Sequence, residues 1–120
     1  MDTLAIILKL IIGLSVLNVW ILRSRKESPF RGGKSKTLEE EFEAYGLSMK
    51  TLNLVGAVKI ILALMLLVSI VYPPLSKPAA LGMALMMTAA IFMHLKIKDP
   101  IEKSFPALLF LTLSIILLFI

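Results

Sequence analysis

The chain has 120 residues, 58% of them hydrophobic and only 18% charged, with a formal net charge of +5 and a mean hydropathy of +0.92. That balance belongs to a single membrane domain over residues 1–120 and leaves no room for a separate catalytic domain. Cysteine is absent and histidine occurs once, which excludes disulfides, iron–sulfur clusters, thiolate zinc sites, bis-histidine haem within one chain and multi-histidine metal centres.

The first apolar run covers residues 4–22, interrupted by Lys9 and carrying Asn18 and Trp20 toward its far end. At about 1.5 Å per residue it just crosses a ~30 Å hydrocarbon core. Asp2 stands where a signal peptide has its basic region, and no small-x-small cleavage pattern follows, so the run is expected to be a retained helix. A polar loop over residues 23–50 comes next. Its Thr37 and Glu40 fit a capping box, Leu38, Phe42 and Tyr45 recur on one helical face, and Gly46 supplies a stop. The spacing predicts a short amphipathic helix over residues 37–45, resting on the membrane interface. Glu39, Glu40, Glu41 and Glu43 form its solvated side.

The second span is expected over residues 52–72, ending at Pro73-Pro74, and the third over residues 79–95. In the third, Ala80, Ala84 and Thr88 make a small-residue stripe suited to helix contact, and Met83, Met86, Met87 and Met93 suit adaptable core filling. Asp99 and Glu102 form a second capping box with Pro100 at the first helical position. Pro106 lies too deep to continue that helix without cost. A short interfacial turn over residues 100–103 is therefore expected, then a break, then the fourth span over residues 105–120. The fold class is an all-α membrane protein: a four-transmembrane-helix bundle with an interfacial amphipathic helix between the first and second spans.

Cations flank the spans, which suits membrane topology and not nucleic-acid binding. The first loop holds Arg23, Arg25, Lys26, Arg31, Lys34, Lys36 and Lys50, the third Lys96, Lys98 and Lys103, and the second only Lys77. Ten against one places the first and third loops in the cytoplasm and both termini outside.

An ionisable group inside a span costs roughly 2.5–3.5 kcal/mol at mid-helix, so each one needs a reason. Lys59 shares a helix face with Gly56 and Ala63 and points into the bundle. It is read as a snorkelling or paired lysine, or as a contact to a ligand or partner. Lys9 is read as a snorkeller. His94, at the end of the third span, is either a hydrogen-bonded anchor within reach of Asp99 or the Glu39–Glu43 stretch, or a head-group donor or proton relay, since imidazole titrates near neutrality. Asn18, Tyr45, Asn53, Lys59 and His94 all fall in one half of an antiparallel bundle. They line a pocket or satisfy one another. No catalytic set and no metal site is visible: "FRGGK" lacks the spacing of a phosphate-binding loop.

Val55-Gly56-Ala57-Val58-Lys59, then Ala63, Pro78-Ala79-Ala80 and "MHLKIKDPIEKSFPALL" resemble the DoxX-like family of small four-helix membrane proteins, from about Tyr45 to the C-terminus. Upstream, "FRGG" and "EEFEAYGL" are similar to a bacterial branch of it. The resemblance implies a bacterial inner-membrane protein linked either to quinol oxidase and thiosulfate:quinone oxidoreductase chemistry or to assembly of membrane receptors. Many members carry glutamate where this chain has Lys59, so an acid-based mechanism is not carried over. Two functions are expected. The first is an accessory or assembly subunit without catalysis of its own, drawing on exposed small-residue and methionine faces, with other membrane subunits or a second copy as partners. The second is a quinone-binding oxidoreductase subunit using Lys59 and His94. No cofactor is assigned; a quinone or a lipid suits the second reading.

Overall fold

A computed structural model describes residues 3–22, 40, 43, 46 and 48–120. Helix α1, Thr3–Leu17, runs on into a single π turn at Asn18–Leu22. Helix α2, Met49–Val68, starts at Ser48, whose extended backbone lets its Oγ accept from the Thr51 N–H at 3.2 Å. That bond satisfies one of the amides a helix start leaves open. The α2 ladder ends at Ser69, and Tyr72 is driven out of helical geometry (φ −128°, ψ 81°) by the proline that follows it. A 3-10 turn, Pro73–Leu75, leads directly into α3, Ser76–Lys96. A second 3-10 turn, Ile101–Ser104, precedes α4, Phe105–Phe119.

A helix therefore stands at each of the four places where a span is expected, with shifted ends. The second starts at Met49 because Ser48 caps it, and stops at Val68 because Pro73 and Pro74 need a preceding non-helical turn. The third gains a turn at its start, since Pro78 sits where a helix tolerates proline. Pro106 falls in the first turn of α4, so the expected break lies just ahead of it and its missing N–H has no intrahelical partner to lose. The capping reading at Asp99 shifts by one residue: Pro100 occupies the N-cap place of the 3-10 turn, and the Asp99 carboxylate is turned toward His94.

Neighbours in sequence are neighbours in space, and α1 also packs against α4, closing a ring of four helices. Gly13 of α1 lies so close to α2 that a Cβ there would stand 2.8 Å from Leu67 Cγ and 3.2 Å from the Ala63 carbonyl. Further along the chain Trp20 meets Gly56, near the start of α2, so the two helices run antiparallel. Ile12, Leu66 and Met83 are fully buried at the centre, with Ala63, Ala79 and Ala80 allowing close helix approach. Ala80, Met83, Ala84 and Met87 are buried and Met86 and Met93 half-buried, so these residues chiefly serve the bundle, and of the two faces only Thr88 is exposed.

The outside of the ring is apolar. Leu14, Leu54, Ile61, Leu85, Phe92 and Ile115 all face outward. Thr3–Ile21, Pro73–Lys96 and Ile101–Phe119 are long and apolar enough to cross a membrane, and Asn53–Val68 is a shorter apolar helix. Outward apolar side chains on such helices contact the lipid bilayer.

Candidate functional site

Polar side chains gather at the end where α1 and α3 finish and α2 and α4 begin. One such group lies at the close of α3. Its C-cap is Ile97, and Lys98 follows in left-handed geometry at φ +58°. The Lys98 N–H donates to the Leu95 carbonyl at 3.1 Å and the Asp99 N–H to the His94 carbonyl at 3.0 Å. These two bonds make the paired closure in which a helix ends through one left-handed residue. That closure sets the third residue inside the cap beside the second residue beyond it, a contact often made by two apolar side chains. Here the two are His94 and Asp99.

The ring nitrogen Nδ1 of His94 donates to Asp99 Oδ2 across 2.8 Å, with the two side chains only 6% and 4% exposed. The imidazole is thus held by the backbone geometry of its own helix end. A residue with a Cβ costs about 1–2 kcal/mol in the left-handed conformation Lys98 adopts.

The second polar feature joins α1 to α2. The π turn carries Trp20 onto Gly56, where an added Cβ would come within 2.8 Å of ring atom Cε3 and 3.0 Å of Cζ3. One turn further along α2, the Lys59 ammonium lies 5.1 Å from the Trp20 ring centroid. An ammonium over an indole face is attracted by the ring quadrupole, by about 0.5–1 kcal/mol when exposed and about 2 kcal/mol when desolvated. Gly56 makes room for the ring, and the ring receives Lys59.

Of the other expected site residues, Asn18 opens the π turn and is half-buried, while Asn53 is exposed on α2. Tyr45 and Thr37 lie outside the described residues, as does the comparison of Phe42 with its neighbours. Glu40 and Glu43 are helical and exposed, and Gly46 takes φ +77° with its N–H on the Glu43 carbonyl at 3.0 Å, the expected helix stop. Glu102 is exposed in the 3-10 turn.

Toward the opposite end, Lys9 is buried at 4% exposure and does not snorkel outward. Its Nζ donates to the Ser69 carbonyl at 3.2 Å, at the C-cap of α2. The C-terminal carbonyls of a helix carry partial negative charge and lack intrahelical donors, so this cation closes α2 from a neighbouring helix. Hydroxyls within the spans turn back on their own helices: Thr88, Thr112 and Ser114 donate to the carbonyls of Ala84, Leu108 and Phe110 at 2.8, 2.9 and 2.7 Å.

Sequence reasoning missed the Trp20–Gly56–Lys59 stack and the Lys9–Ser69 bond, which join residues far apart in the chain. The aromatic, glycine and lysine were each visible, but their meeting depends on helix register. No curated protein and no solved structure matches this chain. Its residues 31–117 match the DoxX-like family, a span that runs from the polar loop through all of α2 and α3 and most of α4, and the chain is a membrane protein belonging to that family.

Proposed function

We propose that this single-domain chain is an accessory or assembly subunit of a larger membrane complex, without catalysis of its own. One observation carries the reading: Lys9, Lys59 and His94, the ionisable side chains within the helices' apolar stretches, each meet a partner inside the bundle. His94 closes α3 with Asp99, Lys9 closes α2 at Ser69, and Lys59 covers Trp20. A protein whose internal polar groups are spent on its own helix ends acts through its outer surface. The partners are other membrane subunits or a second copy of the chain. The membrane is a bacterial inner membrane, with Lys50, Lys96, Lys98 and Lys103 on its cytoplasmic side and Lys77 and both termini outside, as the loop charges favour.

A second reading, a quinone-binding subunit, draws on the Trp20–Lys59 pair, since an aromatic face beside a cation suits a carbonyl-bearing ring. Isolation of the chain at native abundance, with proteins identified and quinone extracted from the same eluate, separates the two. The accessory reading expects reproducible membrane proteins in fixed ratio to the chain and quinone no richer than in bulk lipid. Stoichiometric quinone on a chain isolated by itself would favour the second reading and defeat the first.

A further inference from the structure

We propose that the turn joining α2 to α3, residues 69–76, is a membrane contact and not a loop in water: it is seated in the head-group layer with Val71 and Tyr72 against lipid. The other two connections, residues 23–48 and 97–104, carry cations and carboxylates, whereas from Ile60 to Ser76 the sequence holds no charged residue. Yet the turn is not tucked inside the ring. Val71 is 84% exposed and Tyr72 57%, and Pro73 and Pro74 are exposed with them.

The backbone identifies the occupant. In lipid a main-chain N–H has to find its acceptor within the protein; in water it does not. Here the amides of Ser69, Ile70, Val71, Tyr72 and Leu75 all donate to carbonyls of residues 65–72 at 2.9–3.2 Å. The Ser76 amide donates to the Pro73 carbonyl, and Pro73 and Pro74 have no N–H to satisfy. No main-chain donor of residues 69–76 is left for water. The Ser69 carbonyl is served as well, by the Lys9 ammonium. Depth follows from α3, where Lys77 and Lys96 stand at opposite ends. Their separation is about 28 Å at roughly 1.5 Å per residue, close to the ~30 Å thickness of the hydrocarbon core. The turn just before Lys77 therefore lies at the border of that core, where tyrosine is favoured and apolar side chains enter among the acyl chains. A water-soluble partner would find neither a charge nor an open amide to grip on this turn; lipid needs neither.

The chain has no cysteine of its own, so nitroxide labels can be placed singly at Val71→Cys, Tyr72→Cys and, as the water-facing reference at the opposite end, Lys98→Cys. All three side chains are exposed, which keeps the labels out of the packed interior. Each full-length variant is placed in phosphatidylcholine vesicles. Electron paramagnetic resonance then compares collisions with oxygen, which concentrates in lipid, against collisions with a water-soluble nickel chelate. The ratio of oxygen to chelate collisions at Val71 and Tyr72 should exceed the ratio at Lys98 several-fold. Ratios equal to that at Lys98 would put the turn in water and overturn the proposal. Labels shielded from both reagents would show that protein covers the turn, which overturns it equally.

Discussion

His94 meets Asp99 because a helix that closes through a left-handed residue brings those two positions together. On the function proposed above this contact makes His94 an anchor, and its loss should have a graded cost. His94→Leu removes the donor to a buried carboxylate and should destabilise the chain by about 1–3 kcal/mol. His94→Gln, whose amide still donates, should lose less than half of that, read as midpoints of thermal unfolding in detergent. Equal losses in the two variants would show that the ring's shape matters and its hydrogen bond does not. The meeting of His94 and Asp99 was partly legible in the sequence, since both stand near the predicted end of the third span. What hid the closure itself was Lys98: a helix stop is recognised by glycine or asparagine, as at Gly46, and a lysine in left-handed geometry gives no such signal.

At the scale of elements, helix number and most boundaries follow from residues whose backbone limits are fixed. Pro73 and Pro74 end α2, Pro106 starts α4, and apolar length does the rest. The π turn at Asn18–Leu22 has no such marker and was not foreseen, and with it went the Trp20–Gly56 contact that holds α1 to α2. That contact is open to a direct check because Trp20 is the single tryptophan in the chain. Gly56→Val would drive side-chain carbons into the ring, so the indole must leave its seat on α2. The expected result is a changed fluorescence emission maximum together with a loss of about 1–3 kcal/mol, typical of overpacking. An unchanged emission maximum in the folded variant would mean that the ring does not rest on Gly56. The Lys9–Ser69 bond was hidden for a related reason: lysines near span ends usually reach for water, and only the antiparallel fit of α1 beside the end of α2 offers this one a carbonyl.

At the scale of the whole molecule the described helices form a ring of four with an apolar exterior, and its orientation can be read with introduced cysteines because the chain has none of its own. In intact cells an impermeant maleimide should label Lys77→Cys and spare Lys98→Cys until the membrane is opened; the reverse pattern would invert the topology. The central claim is that the polar side chains inside this ring serve its architecture, and that the protein works through what its surface meets. It is tested most directly by isolating the wild type and a His94→Gln, Lys59→Gln double variant from native-abundance membranes, counting partner proteins and quinone in the same eluates. The account predicts the same partners in the same ratio to the chain from both, with neither enriched in quinone over bulk lipid. A wild-type chain that carries bound quinone, and a folded double variant that has lost it, would contradict the claim.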